Sequence, residues 1–184
     1  KEYNLIDFND MILDFTKSDL SPKFDVVFID EAQDLSLMQW DMARSIWKKT
    51  EDAFIAGDDD QAIFRWAGAD VDSFITLKGE YYPLKQSYRI PAKVHNLAMN
   101  IINKIKNRID KTWKPKINEG TLQRHFDVDS IDMSQGDWLV LSRTRHMLND
   151  IEESLYRQGL YYNNRYKRTN EKDLQECAVD WEHL

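Results

Sequence analysis

At 184 residues, 42% hydrophobic and 31% charged, the chain carries enough apolar side chains to bury a core and too many for a disordered polymer. The single Cys177 excludes an internal disulfide, and no apolar run reaches membrane-spanning length or reads as a signal peptide; a cytoplasmic protein with no membrane partner is expected. The net charge of −7 is uneven, because residues 1–60 hold 15 Asp or Glu against 6 Lys or Arg and leave a net +2 for the rest, so any nucleic acid must be met by local groups and stacking rather than a global field.

In chain order, Leu5, Phe8, Ile12 and Phe15 recur at helical spacing and predict an amphipathic helix over 4–16, packing on a sheet. Residues 18–23, with Pro22, read as a loop. Val26, Val27, Phe28 and Ile29 form a β-type run that ends in Asp30-Glu31-Ala32-Gln33-Asp34. Leu35, Met38, Met42 and Ile46 then predict a helix, widened by Ala43 and Trp47, with Trp40 and Trp47 read as core. Ala53 to Gly57 reads as a second buried strand running into Asp58-Asp59-Asp60-Gln61. Strand, helix, strand implies an α/β fold with a parallel sheet.

Asp70 is expected to cap a short helix carrying Val71, Phe74 and Ile75. Pro91 opens a periodic helix whose apolar face runs from Val94 through Ile102 to Ile105 and Ile109. Lys104, Lys106, Arg108, Lys111, Lys114 and Lys116 follow, and a solvated face is the preferred reading over a phosphate contact. Strands are expected at 121–126 and, fully buried, at 138–141. A helix through Met147, Leu148, Ile151 and Leu155 is stopped by Gly159, and a polar helical tail closes the chain.

The chemistry concentrates where the two early strands end. An apolar strand that delivers carboxylates beyond its carboxyl end suits a magnesium–nucleotide site, one acid holding the metal and its neighbour handling the attacking water. Gln61 can both donate and accept hydrogen bonds to a phosphate or that water. Phe64 and Trp66, two apart, project to one side of an extended segment and can stack on successive bases. Arg89 offers an always-charged guanidinium matched to phosphate oxygens. Asp58 to Asp60 do not complete a calcium loop, which needs further ligands at fixed spacing.

These stretches, with Leu84-Lys85-Gln86-Ser87-Tyr88-Arg89, resemble in order three motifs of the UvrD/PcrA/Rep family of superfamily 1 DNA helicases. The resemblance implies parts of two RecA-like domains of the P-loop NTPase class. Residues 1–83 would be the latter part of the first and 84–165 the beginning of the second, with 166–184 leading toward an accessory insertion. It implies ATP and Mg2+ as cofactors, with Asp30 acting on the metal, Glu31 on the nucleophilic water and Gln61 on coupling. Tyr88 would stack on adenine and Arg89 reach the γ-phosphate, while Phe64 and Trp66 would meet single-stranded DNA. The implied activity is ATP-driven movement on single-stranded DNA and unwinding of duplex DNA with 3′ to 5′ polarity, with repair, replication and recombination all open as the pathway served. The family often has Arg where this chain has Ala67, so one polar contact is missing.

None of the six glycines is followed by Lys, so the phosphate-binding GxxxxGK[ST] loop is absent from the sequence. An internal stretch of a longer helicase, inactive by itself, is therefore expected. The alternative is a non-catalytic, helicase-derived module that binds single-stranded DNA or a protein partner. Retention of Asp30, Glu31, Gln61 and Arg89 together argues for the enzyme. A two-carboxylate nuclease is weaker, since no further acidic cluster or catalytic Lys completes it.

Overall fold

A computed structural model describes residues 5–18 and 20–164. The chain divides into two compact units between Thr121 and Leu122. The expected polar tail at 166–184 lies outside the described residues.

In the first unit the strand-forming runs become β1 (Val26–Ile29) and β2 (Asp52–Ile55), paired in parallel from Val26 opposite Asp52 to Ile29 opposite Ile55. Phe28 and Phe54 share one face and stack with ring centroids 5.1 Å apart, as same-face neighbours on adjacent strands do. Before β1 comes α1 (Phe8–Ser18), which packs chiefly against α2 (Leu37–Trp47). The connection between the strands is α2 itself. Its start is fixed by a capping box: Gln39 N–H donates to Ser36 Oγ, and Ser36 N–H donates to Gln39 Oε1 at 2.8 Å.

Trp40 on α2 is fully buried, and its Nε1–H donates to the Asp70 carbonyl at 3.0 Å. With Ala32, Ala43 and Val71 it forms the described core, as the core reading of Trp40 requires. The short α3 (Val71–Ile75) packs on the turns at Ala32–Asp34 and Asp59–Gln61 that follow the two strands. Asp70 does not cap α3 through a backbone N–H; its Oδ2 accepts instead from Ser73 Oγ at 2.7 Å.

The helix opened by Pro91, α4 (Ala92–Ile102), is shorter than its apolar periodicity predicts. Ile105 and Ile109 lie beyond its end, because residues 108–111 turn to three aspartates described below. Gln86 bridges Lys114 in parallel, so the segment after Pro83 runs beside residues 114–119. Gly120, at φ 70°, closes this stretch where a Cβ would come within 2.5 Å of Pro91.

The second unit is built on α5 (Leu148–Arg157), with Ser154 and Leu155 buried. Gly159 at φ 67° ends it as expected, and Leu160 N–H returns to the Leu155 carbonyl. Arg157 grips both oxygens of Asp129 at 2.9 and 3.0 Å. The strands expected at 121–126 and 138–141 are not formed, and Leu139 is 82% exposed. A strand requires a neighbour to satisfy its backbone, and β1 and β2, the described strands, pair only with each other.

Candidate functional site at the carboxyl ends of the paired strands

The loops that leave β1 and β2 are laced together by backbone bonds. Ala56 N–H donates to the Ile29 carbonyl at 2.7 Å and Ala32 N–H to the Ala56 carbonyl at 3.0 Å. Parallel strands in register thus carry Asp30-Glu31 and Asp58-Asp59-Asp60-Gln61 out side by side, in the place where α/β sheets bind ligands.

Glu31 sits at φ 51°, ψ 39°, the left-handed region, and is the one non-glycine residue with positive φ among the described residues. Such a conformation costs on the order of 1–3 kcal/mol and persists only where its surroundings enforce it. Here Asp30 Oδ1 accepts from the Glu31 N–H at 2.9 Å, and Glu31 Oε2 accepts from Gln33 Nε2 at 2.7 Å. Both carboxylates remain exposed to solvent.

Gln33, only 2% exposed, is the hub. While its Nε2 holds Glu31, its Oε1 accepts from the Asp58 N–H at 2.9 Å. Asp58 Oδ2 in turn accepts from Gln61 Nε2 at 2.6 Å. One chain of hydrogen bonds therefore joins Glu31 to Gln61 through Gln33 and Asp58. Gly57 makes room for it, because a Cβ there would lie 2.6 Å from Gln33 Oε1 and 3.0 Å from the Phe74 ring. Sequence reasoning passed over Gln33; its signal was an amide set among the acids Glu31 and Asp34 just after a strand.

The three aspartates are not a metal loop. Their carboxylates meet Arg108 and Lys111, which are therefore not a solvated basic face. Arg108 donates from Nε and Nη2 to the two oxygens of Asp60, each at 2.8 Å. Lys111 Nζ lies 3.0 Å from Asp58 Oδ1 and 3.0 Å from Asp60 Oδ2, and also bonds Asp59, whose other oxygen takes the Ile109 N–H. The side chains of Asp59 and Asp60 are 2% and 4% exposed. Burial pushes the Asp60 carboxyl up, but the hydrogen bonds and charges of Arg108 and Lys111 outweigh it and hold the group below its usual value. For Lys111 burial acts downward, and its bonds to Asp59, Asp58 and Asp60 prevail, raising it above the ordinary lysine value.

Trp66 lies in a 3₁₀ turn, Arg65–Ala67, with Phe64 at its N-cap, and not on an extended segment, so strand alternation does not set the directions of the two rings. Both rings are nonetheless open to solvent, Trp66 by 84%. The turn is held by Arg65, paired with Asp72 at 3.1 Å, and Asp72 also accepts from Asn107 Nδ2 at 2.8 Å. The Arg65 bond holds the Asp72 carboxyl below its usual value. Tyr88 and Arg89 are exposed, and no hydrogen bond or ion pair among the described residues joins them to Asp30, Glu31 or Gln61. Their backbone is set by Ser87, whose Oγ accepts from Arg89 and Ile90 N–H and whose N–H donates to the Lys114 carbonyl at 2.8 Å.

Residues 1–82, which include both loops, match the family model described as the UvrD/REP helicase N-terminal domain. The chain is 26% identical over 191 residues to "ATP-dependent DNA helicase PcrA" of Bacillus subtilis, covering 86% of this chain and 26% of that protein. It is 24% identical over 136 residues to "ATP-dependent DNA helicase Rep" of Buchnera aphidicola, covering 66% and 20%. The family model and these relatives together support reading the chain as a fragment of the UvrD/PcrA/Rep family. Another relative, "Probable DNA helicase II homolog" of Rickettsia conorii, is 32% identical over 130 residues, 62% of this chain and 20% of that protein. The chain thus spans about a fifth to a quarter of the length of these UvrD/PcrA/Rep relatives. No helix among the described residues is long and apolar enough to cross a membrane.

The donor set suits the Mg2+ and ATP that the family implies. Magnesium takes few protein carboxylates and keeps its waters. Asp30 offers an exposed carboxylate steadied through one oxygen by a backbone N–H, with Glu31 beside it.

Proposed function

We propose that this chain is the middle of an ATP-dependent DNA helicase or translocase, acting on single-stranded and duplex DNA in the cytoplasm with 3′ to 5′ polarity. The observation that carries the reading is the hydrogen-bonded chain Glu31–Gln33–Asp58–Gln61 at the carboxyl ends of two parallel strands. In the longer protein, residues 1–83 belong to one RecA-like domain and 84–165 to the start of a second, with 166–184 leading to an insertion. Bound Mg2+–ATP supplies the phosphoanhydride to be cleaved and the cation that offsets its charge.

The side chains of this chain then divide the work. Asp30 would hold the metal, through water or directly. Glu31, fixed by Gln33 with one carboxylate oxygen still open to another partner, accepts the proton of the attacking water. Gln61 orients that water or senses the γ-phosphate, and Arg89 balances negative charge on the phosphoryl oxygens. Tyr88 offers its exposed ring to adenine. Phe64 and Trp66 offer theirs to bases, which binds single strands without reading sequence. A binding module without nucleotide chemistry explains the exposed rings, but it gives no use to a buried amide that orients a strained Glu31.

The test is ATP hydrolysis by the full-length protein with and without single-stranded DNA. Stimulation by DNA, reduced about tenfold or more by Trp66→Ala, supports the reading, since stacking contributes on the order of 1–3 kcal/mol per base. Hydrolysis indifferent to DNA would remove the motor from the proposal. The 184-residue polypeptide alone is expected to show no hydrolysis.

A further inference from the structure

We propose that Lys111 is a positioning residue for ATP hydrolysis, setting Gln61 through Asp58 and holding the Gln61 loop in register with the Tyr88–Arg89 segment. The inference rests on the ATPase reading above and adds to it a residue that neither the motifs nor the relatives' names assign.

The geometry is that of a clamp with two ends. At one end the ammonium meets all three aspartates, matching its three donors to three carboxylates. Of these, Asp58 is the one that leads to the reaction. Its Oδ1 faces Lys111, its Oδ2 takes the Gln61 amide, and its N–H reaches the Gln33 oxygen behind Glu31. A shift of Asp58 therefore moves Gln61 and slackens Gln33 together.

At the other end, three residues along, Lys114 N–H donates to the Lys85 carbonyl at 2.8 Å while its carbonyl accepts from Ser87 N–H at 2.8 Å. Gln86 Nε2 adds a bond to the Pro115 carbonyl at 3.0 Å. The stretch 111–115 is thus pinned to the Gln61 loop by a side chain and to the Arg89 segment by backbone. Gln61 and Arg89 are both exposed and make no direct bond to each other, so this stretch, beside the bonds of Arg108 to Asp60 and of the Ile109 N–H to Asp59, is a described connection that fixes one relative to the other. Arg108 reinforces it from Asp60 but has no route to Gln61 except through the same cluster.

A side chain that acts by placing Gln61 alters turnover more than ATP affinity, because misplacement by about 1 Å costs rate far more than binding. The experiment measures DNA-stimulated ATP hydrolysis by the full-length protein carrying Lys111→Met, Lys111→Arg, Asp58→Asn or, as a control on an exposed lysine outside the clamp, Lys104→Met, with thermal unfolding of each. The expected result is a kcat lowered about tenfold or more by Lys111→Met and by Asp58→Asn, with KM for ATP within about threefold, partial recovery in Lys111→Arg, and no change in Lys104→Met. If Lys111→Met does not fold, Asp58→Asn, at a half-buried position with an isosteric side chain, decides alone. Folded variants with wild-type kcat, or a loss confined to thermal stability, overturn the positioning role while DNA-stimulated wild-type hydrolysis leaves the ATPase reading standing. A wild-type protein without DNA-stimulated hydrolysis overturns that reading first, and this inference with it.

Discussion

β1 and β2, with the loops that follow them, and the stretch from 122 to 147 carry similar apolar runs, yet among the described residues only the former pair as strands. The first are locked by Gln33, the three aspartates and two cations, with Trp40 buried beneath. In the second, Leu122, Phe126, Leu139 and Leu141 are all exposed, and the expected strands do not form. Apolar patterning tells which residues favour burial; whether they become strands depends on a neighbour that can take their backbone bonds. A loop whose polar groups satisfy one another needs no such neighbour.

The comparison breaks most visibly at Trp40. Trp40→Ala empties the described core and strands the Asp70 carbonyl, so unfolding free energy should fall by about 3–5 kcal/mol in denaturant titration. A loss below about 1 kcal/mol would mean that the first unit is not organised around it. Next in size is Gln33→Leu, which keeps the volume but leaves the Asp58 N–H and the Glu31 carboxylate without their partner. A cost of about 1–3 kcal/mol is expected, alongside a fall in kcat that a purely structural residue would not cause.

Protons sharpen the same contrast. Asp60 is held below its usual value, so its contribution is present above about pH 4, the unfolded value, and is lost as pH falls through the folded one. Lys111 is raised, so its contribution is complete below about pH 10.4 and fades as pH climbs through the folded value. Stability measured against pH should therefore show an acid limb that Asp60→Asn flattens. An unchanged acid limb in that variant would show that other carboxylates govern it. The smallest effect is expected at Leu139, where Leu139→Ser should change stability by no more than about 0.5 kcal/mol. A larger loss would place that side chain in a core.

The contrast also marks what the sequence made legible. The strand at 26–29 and its acids were readable because an unbroken β-branched and aromatic run ends abruptly in charge, and α2 because its periodicity meets a capping box at Ser36 and Gln39. Gly159 stops α5 as its position predicts. The end of α4 was not readable: Ile105 and Ile109 keep the helical period, while the pull toward Asp59 and Asp60 acts across some 50 residues of chain. Arg108 and Lys111 looked solvated for the same reason, since a local charge run does not show a distant buried partner. Phe64 and Trp66 were legible as a pair of rings but not as the N-cap and a member of a 3₁₀ turn, which Gly68 at φ 99° completes.

The most direct test of the central claim, that the laced loops form the hydrolytic site, is the single-turnover rate of ATP cleavage by the full-length protein bearing Glu31→Gln in the presence of single-stranded DNA. The account predicts a loss on the order of 10²–10⁴-fold with ATP still bound, as for removal of a general base. Cleavage at the wild-type rate would contradict it, and with it the role given to Gln33 and the strained backbone at Glu31.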